Sequence, residues 1–150
     1  QKGVIIVDVT LHIGLATFRP VKVQDTVNHQ MHFEDYEISK LSADVLNAAK
    51  KEGRRIISVG TTSTRALEEN MTKWGHFVPE RTITDIFITP GYEFKAIDAI
   101  ITNFHLPKST LIMMMSAFAG RETILSTYKI AIEQEYRFFS FGDAMFIYGK

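Results

Sequence analysis

The fold class is decided by residues 54–68, which read RRIISVGTTSTRALE. The first half is a short run rich in β-branched residues that ends in glycine, and it predicts a strand followed by a turn. Four consecutive hydroxyl residues then open a helical stretch, which is predicted over residues 65–72. A strand, a turn and a helix in this order form the repeating unit of α/β domains.

Stretches before this unit continue the alternation of strand and helix. Residues 7–13 alternate between apolar and polar side chains, as in a half-exposed strand. From Ile38 onwards the apolar residues recur every three or four positions, which predicts a surface helix. Asp35 is the predicted N-cap of this helix, and Gly53 is its predicted end.

The second half of the chain adds further elements. Strands are predicted over residues 84–88 and 96–102, on either side of a turn at residues 89–92. A last helix is predicted after Gly120, with one or two strands over residues 138–148. The predicted fold is a single α/β domain that spans all 150 residues, with a mixed, largely parallel sheet and flanking helices.

The composition is that of an ordinary globular domain. Hydrophobic residues make up 45% and charged residues 23% of the chain, which excludes a disordered tail. The formal net charge is zero, so a nucleic-acid partner would have to bind a local basic patch. The absence of cysteine excludes disulfides and thiolate chemistry and suits a reducing cytosol.

The ends and the apolar runs bear on location. No signal-peptide pattern occurs, and the longest apolar run, residues 111–115, is far too short to span a bilayer. A membrane location is therefore not expected. The chain starts with Gln1 and is almost at once in strand-like sequence, which suggests a segment of a longer protein.

Polar loops that follow strands are the first candidates for a site, because ligands of α/β sheets collect at the carboxyl ends of strands. One such loop, GTTSTR, places a glycine and four hydroxyl residues at a predicted helix start, residues 60–65. Backbone N–H groups, hydroxyls and the positive end of the helix dipole suit a carboxylate or phosphate. One hydroxyl could equally serve only as a helix cap. The spacing and the lysine of a P-loop are missing.

The second loop, NFHLPKST, begins at Asn103. Ser109 or Thr110 could cap the helix that follows. His105 could exchange protons near neutral pH and Lys108 could hold an anion, although either could also be simply solvated.

Three weaker motifs remain. In HQMHFED, the residues His29, His32 and Glu34 are metal-ligand types, but their spacing matches no strong zinc signature, which favours a polar loop instead. In FGDAM, Asp143 follows a glycine, and a turn in which the aspartate bonds its own backbone is the favoured interpretation. In LATFRP, Arg19 lies in a loop after a strand, where it could clamp an anion or stack on a base.

Six blocks occur along the chain in this order: VTLHIGLATFRPV, HQMHFEDYEI, SVGTTSTRALE, TDIFITPGYEFK, ITNFHLPKSTLIMMMSAFAG and YRFFSFGDAMFI. Together they closely resemble the S-adenosylmethionine:tRNA ribosyltransferase-isomerase family of queuosine biosynthesis. The resemblance covers essentially the whole chain and is to the C-terminal part of that enzyme. It implies that most of the family's small β-barrel domain, an insertion in the α/β domain, is missing here.

The resemblance also implies a reaction. The family transfers the ribosyl group of S-adenosylmethionine to 7-aminomethyl-7-deazaguanine at the tRNA wobble position, giving epoxyqueuosine and releasing adenine and methionine. S-adenosylmethionine is a co-substrate, so no cofactor is expected. The expected partners are S-adenosylmethionine and tRNA carrying the 7-deazaguanine precursor, and the full-length enzyme is expected to be a cytoplasmic monomer.

The resemblance implies roles for individual residues. His105 is the predicted group for proton transfer, since it is the one histidine in a strand-to-helix loop. Thr61 and Thr62, with Arg65 one helical turn on, are predicted to bind the methionine carboxylate or a tRNA phosphate. Asp143 is a second predicted catalytic residue. The other predicted substrate-binding residues are Thr17, Phe18, Arg19, His32, Glu34, Asn103, Lys108 and Ser109.

Two alternatives remain open. A noncatalytic nucleotide-binding or RNA-binding α/β module would bind S-adenosylmethionine without releasing adenine. An enzyme of another class could use the hydroxyl-rich loop for a phosphorylated metabolite, in which case inorganic phosphate would compete for it.

Overall fold

The computed structural model describes residues 2–12, 34–107 and 109–148. The described residues form six strands and four helices. Their bounds are β1 Thr10–His12, β2 Glu34–Ile38, α1 Lys40–Lys51, β3 Ile57–Val59, α2 Thr61–Trp74, β4 Glu80–Thr84, β5 Ala99–Asn103, α3 Thr110–Ala119, α4 Arg121–Glu133 and β6 Ala144–Tyr148.

The strands form two three-stranded sheets, in the orders β1-β2-β4 and β3-β5-β6. The α/β class is thereby confirmed. The expectation of a largely parallel sheet is wrong for the described strands, because only β3 and β5 pair in parallel. The second sheet is mixed, with β6 antiparallel to β5.

The chain path explains the direction of β6. Gly120 has φ +88° and serves as both the C-cap of α3 and the N-cap of α4, so the two helices form a hairpin. A hairpin of two helices returns the chain to the edge of the sheet at which β5 ended. β6 therefore starts where β5 stops and runs in the opposite direction.

The core lies between the sheets and the helices. Ile100 of β5 is fully buried, and Phe77 is buried beside Asn47 of α1. Met114 and Met115 of α3 are also buried, which agrees with a deformable methionine face on that helix. Each large apolar side chain removed from water contributes on the order of 1.5–3 kcal/mol. This burial fixes the strand ends from which the candidate loops start.

Several predicted boundaries differ from the structure by a few residues, and two predictions are wrong outright. Asp35 does not cap α1 but lies in β2 and pairs with Arg81 of β4, while Ser39 accepts the capping bond from Ser42 N at 3.1 Å. The predicted strand over residues 84–88 is wrong, because β4 ends at Thr84, where its pairing with β2 ends. The local pattern did not reveal which segment would find a partner strand.

Other predictions are confirmed. Gly53, with φ +67°, follows the end of α1, and Tyr92 N bonds Thr89 O at 3.0 Å to close the predicted turn. Val7 and Val9 are half-buried while Asp8 is exposed, as the alternation predicts. Among the described residues, no helix has the length and apolar character needed to cross a lipid bilayer.

Candidate functional site

The two polar loops chosen from the sequence start from neighbouring strands. β3 and β5 are parallel and in register, with Val59 opposite Ile101. The N–H of Gly60 donates to Ile101 O at 2.8 Å, which ties the turn after β3 to β5. Because parallel strands end at the same edge, both loops lie at one edge of the sheet, where ligands of α/β proteins bind.

The start of α2 lacks a side-chain cap. Gly60 is the N-cap, with φ +89°, and no side chain bonds the first-turn amides. The hydroxyl of Thr64 turns back instead and bonds Gly60 O and Ser58 Oγ, each at 3.0 Å. The simple-cap interpretation of the hydroxyl residues is therefore wrong for α2. The N–H groups at Thr61 and Thr62 keep the partial positive charge that suits an anion.

Arg65 and Glu34, both predicted to bind substrate, are joined to each other. Nη1 of Arg65 lies 2.5 Å from Oε2 of Glu34, and both side chains are at least 97% buried. Nε of Arg65 donates to Ile86 O at 3.2 Å, whereas its Nη2 is buried with no hydrogen-bond partner. The pair joins α2 to β2 through a bond that water cannot reach.

Further carboxylates surround this guanidinium. Burial lowers the pKa of Arg65, and the negative charges of Glu34, Asp85 and Glu69 oppose that shift. An arginine stays protonated in proteins, so three carboxylates face one cation here. An added anion would be repelled by the carboxylates, so Arg65 is better suited to holding α2 in place than to binding an anion directly.

His105 lies directly beyond the end of β5 and is half-buried. Its Nε2 is 2.9 Å from Oγ1 of Thr102, and its backbone N–H donates to the hydroxyl of Tyr128 at 2.8 Å. Burial lowers the pKa of His105 to about 4. The imidazole is therefore neutral at pH 7, which suits it to accept a proton rather than to donate one.

Asp143 closes a loop before β6. Its Oδ2 accepts from the backbone N–H of Arg137 at 2.8 Å, and its Oδ1 accepts from Nη2 of the same residue at 3.1 Å. Hydrogen bonds from Arg137 hold the pKa of Asp143 below its usual value. Asn103 Nδ2 donates to Asp143 O at 3.3 Å, so the structure brings these two predicted residues together.

The Asp143 loop carries backbone strain. Phe139 has φ +69°, a region that non-glycine residues seldom occupy, and its N–H donates to Phe104 O at 3.0 Å. A Cβ on Gly142 would lie 2.3 Å from Arg137 O, so this position requires glycine. Strained backbone of this kind is common where a loop is held for function.

The remaining predicted residues divide into two sets. Ser109 is the N-cap of α3, accepting from Ile112 N at 3.3 Å, which confirms the capping expected of Ser109 or Thr110. Its hydroxyl also donates to Leu106 O at 2.7 Å. The residues that lie outside the described part of the chain are Thr17, Phe18, Arg19, His29, His32 and Lys108.

The structure therefore forms two separate groups from the predicted residues. Arg65 and Glu34 form one, at α2 and β2, and His105 stands near Asn103 and Asp143 in the other. No hydrogen bond or ion pair between described residues joins the two groups directly. Thr61 and Thr62, at the start of α2, precede Arg65 on the same helix.

Sequence reasoning missed one buried polar residue of α2, Glu68. Glu68 is fully buried, and it accepts hydrogen bonds from the N–H groups of Lys95, Ala96 and Ile97 at 2.9 to 3.2 Å. Burial raises the pKa of Glu68, and those bonds oppose the shift. A glutamate on the apolar face of a predicted helix was the signal that could have identified it.

Two further observations limit the site. An open apolar cavity of about 640 Å³ lies beside β3 and is lined by Ile57, Val59, Ser63 and Leu67 among others, but by none of the predicted site residues. Within residues 2–12, 34–107 and 109–148, no three acidic or histidine side chains converge as metal ligands.

The fold and these loops define a class: an α/β protein in which two polar loops follow the carboxyl ends of the neighbouring parallel strands β3 and β5. The family model described as queuosine biosynthesis protein matches residues 1–147, and the chain belongs to that family.

Curated relatives agree with this assignment. An S-adenosylmethionine:tRNA ribosyltransferase-isomerase of Staphylococcus haemolyticus is 60% identical over 97% of this chain. One of Caldanaerobacter subterraneus is 61% identical, also over 97% of the chain. The chain spans 43% and 42% of the length of these two relatives.

A solved structure shows the same fold. The crystal structure of S-adenosylmethionine tRNA ribosyltransferase from Thermotoga maritima superimposes with a TM-score of 0.69 at 45% sequence identity. The match covers 76% of this chain and 40% of that one.

Proposed function

We propose that this chain forms part of the active site of an enzyme that transfers and isomerises the ribosyl group of S-adenosylmethionine onto the 7-aminomethyl-7-deazaguanine base of tRNA. The products are epoxyqueuosine, adenine and methionine. The observation that carries the proposal is the family match over residues 1–147, together with relatives of 57–61% identity that are named S-adenosylmethionine:tRNA ribosyltransferase-isomerase.

The chemistry needs a base, a place for the methionine carboxylate and a site for the tRNA base. A proton leaves the ribose 5′ carbon beside the sulfonium, the bond from ribose to adenine breaks, and adenine departs with a proton. The amine nitrogen bonds to the ribosyl carbon, and the epoxide closes as the carbon–sulfur bond breaks and methionine leaves. Each step requires groups held in fixed geometry.

His105 is the proposed proton acceptor. Its ring is neutral at pH 7 because burial lowers its pKa to about 4, and it stands at the edge of the sheet where ligands bind. A negative charge of the bound substrates near the ring would raise the pKa of the imidazole toward the range that suits a general base.

The start of α2 is the proposed site of the methionine carboxylate or of a tRNA phosphate. Its amides near Thr61 and Thr62 have no side-chain cap, and the helix dipole favours an anion there. Arg65 supports this site indirectly, because its buried bond to Glu34 fixes the first turn of α2. Asn103 remains a proposed substrate contact, and Asp143 remains a proposed catalytic residue that acts through the loop it closes with Arg137.

We further propose that the intact enzyme works as a cytoplasmic monomer and needs no cofactor besides its co-substrate. Residues outside the described ranges, Thr17, Phe18, Arg19, His32 and Lys108, keep their proposed substrate contacts. Ser109 supports the loop as the cap of α3.

The test is adenine release from S-adenosylmethionine by the intact protein, with and without tRNA that carries the precursor base. We expect release only with that tRNA, and a loss of about a hundredfold or more in His105→Ala. His76→Ala is the matched control, since His76 is exposed on the turn after α2.

Three outcomes are distinguishable. Release that depends on tRNA, with loss in His105→Ala only, supports the proposal. Release that is unchanged in His105→Ala keeps the reaction but removes His105 from it. Binding of S-adenosylmethionine and tRNA without release of adenine would favour the noncatalytic module.

A further inference from the structure

The imidazole of His105 has one bonded nitrogen and one open nitrogen. Nε2 is 2.9 Å from Oγ1 of Thr102, a residue of β5 that is 5% exposed and stands opposite Met145 of β6. Nδ1 bonds no described residue. Among the described residues, Nη2 of Arg65 is the one fully buried side-chain nitrogen or oxygen that lacks a hydrogen-bond partner. Nδ1 of His105 also lacks a partner but is not in that class, so it is accessible to solvent.

The backbone of His105 is fixed from another direction. Its N–H donates to the hydroxyl of Tyr128 at 2.8 Å, and Tyr128 lies on α4 and is 7% exposed. The ring of Tyr128 packs edge to face on Phe104, with centroids 5.4 Å apart, and Phe104 also contacts Phe138 at 5.1 Å. The residue before His105 is thus held in an aromatic cluster.

We propose that Thr102 and Tyr128 are positioning residues for His105, with Thr102 fixing the imidazole through Nε2 and Tyr128 fixing the backbone amide. Nδ1 is then the nitrogen that meets the substrate. This inference rests on the proposed function, in which His105 moves a proton. Thr102 directly precedes the loop in the sequence, but its bond to the imidazole was not evident there; Tyr128 lies on α4, beyond the whole of α3, and its contact depends on the fold.

The physical reason is geometric. In a neutral imidazole only one nitrogen carries the hydrogen. For Nδ1 to accept a proton from the substrate, Nε2 must carry that hydrogen and donate it to Oγ1 of Thr102, one of the two directions that the 2.9 Å contact allows. A catalytic group displaced by about 1 Å can lose on the order of a hundredfold in rate. Removal of the Thr102 hydroxyl frees the ring to rotate and to exchange tautomers. The chemical step should therefore suffer while substrate binding does not.

The experiment measures adenine release by the intact protein with the variants Thr102→Val, Thr102→Ser and Tyr128→Phe. Valine keeps the shape of threonine and removes its hydroxyl, whereas serine keeps the hydroxyl. We expect kcat to fall about tenfold or more in Thr102→Val and Tyr128→Phe, with KM changed by less than about twofold. Thr102→Ser should retain kcat within about threefold.

A matched control separates position from stability. Ser42 is a buried hydroxyl residue on α1 whose Oγ donates to Asp8 O at 2.8 Å, outside both candidate loops. Ser42→Ala loses a comparable hydrogen bond, with a similar effect on the unfolding free energy. Its kcat should equal that of the wild type. Equal loss in Ser42→Ala and Thr102→Val would mean that stability alone is measured and would overturn the proposal.

A second readout does not depend on activity. Nitrogen-15 NMR of the His105 ring, assigned by the signals lost in His105→Gln, reports the tautomer directly. We expect one dominant tautomer in the wild type and a mixture in Thr102→Val, with Thr102→Ser close to the wild type.

The two readouts keep the inference apart from the proposed function. If the wild type releases no adenine but the tautomer changes in Thr102→Val as expected, the proposed function fails and the positioning of His105 stands. Identical tautomer populations in the wild type and Thr102→Val, or an unchanged kcat in that variant, would overturn the positioning.

Discussion

Arg65 on α2 and Glu34 on β2 form an ion pair that solvent does not reach, with Nη1 2.5 Å from Oε2. The bond connects a residue of the first turn of α2 to a strand of the other sheet. Removal of either partner leaves a charge buried among apolar atoms and neighbouring carboxylates, which is costly because water cannot replace the lost bond.

We therefore expect Glu34→Ala and Arg65→Ala each to lower the free energy of unfolding by about 3–5 kcal/mol. The double variant should cost less than the sum, because the two changes remove the same bond between Arg65 and Glu34. Urea unfolding of the intact protein measures all three values. The exposed pair Lys40 and Asp44 is the control, and its removal should leave the midpoint essentially unchanged.

The buried histidine predicts a dependence of stability on pH. Burial lowers the pKa of His105 from 6.5 to about 4 in the folded protein. Stability from the neutral ring is fully present above pH 6.5 and is lost as the pH falls toward 4, because only the unfolded chain takes up the proton in that range.

We expect the unfolding free energy of His105→Gln to fall less between pH 7 and pH 4 than that of the wild type. The two falls in unfolding free energy should differ by at most about 3 kcal/mol, because each unit by which the pKa of His105 is lowered contributes about 1.4 kcal/mol. Urea unfolding at four pH values measures it. His76→Gln removes an exposed histidine as the control. If the unfolding free energies of His105→Gln and the wild type fall equally with pH, the pKa of His105 is not lowered in the folded protein.

The hydrogen bonds of Glu68 predict that the loop at residues 95–97 depends on this one carboxylate. Its two oxygens accept from three successive backbone amides, of Lys95, Ala96 and Ile97. In Glu68→Gln the new amide group faces donors and leaves one of them unsatisfied, which should cost about 1–3 kcal/mol. Glu93→Gln, on the exposed side of the same loop, should cost nothing measurable. Chemical denaturation compares the two, and equal midpoints would refute the role of Glu68.

The close backbone atoms around Gly142 predict that any larger residue at this position destabilises the protein. A methyl group there would meet Arg137 O at 2.3 Å and Phe138 O at 2.6 Å, and neither backbone atom can move without breaking the turn. We expect Gly142→Ala to lower the unfolding free energy by about 1–3 kcal/mol. Ser140→Ala, at an exposed position of the same loop, is the control. Thermal unfolding that is identical in both variants would show that the loop can rearrange freely.

The bonds between Asp143 and Arg137 predict that substitution of either residue lowers the activity by the same factor. The side chain of Arg137 donates to both carboxylate oxygens, and its backbone N–H also donates to Oδ2. Asp143→Asn can keep Oδ2 on that backbone N–H, so its loss of activity should be matched by the loss in Arg137→Gln, and the double variant should be no worse. Adenine release by the intact protein measures this. A much larger loss in Asp143→Asn than in Arg137→Gln would instead support direct contact between Asp143 and the substrate.

Local sequence patterns correctly predicted the strands, turns and helices whose formation depends on residues nearby in the sequence. The β-branched run ending at Gly60 became β3 and its turn, and the helix after Gly120 became α4. Ser109 caps α3, as its position before an apolar run indicates. The same patterns placed Asp35 at a helix start, although this residue pairs across a sheet with Arg81.

Boundaries that depend on a partner strand were beyond local reasoning. β4 ends at Thr84, which pairs with Glu34 of β2, and residues 85–88 are irregular although their composition is strand-like. β6 is antiparallel because two helices, rather than one, separate it from β5. Strand direction is a property of the chain path and is not recorded in the alternation of side chains.

The sequence by itself determined the α/β class, the two polar loops and the family resemblance, because periodicity, turn residues and motif order are local properties of the chain. Only the tertiary structure decided that Arg65 bonds Glu34, that His105 bonds Thr102 and Tyr128, and that Glu68 holds a distant loop. Those contacts join residues up to 31 positions apart, and burial then sets their charge states.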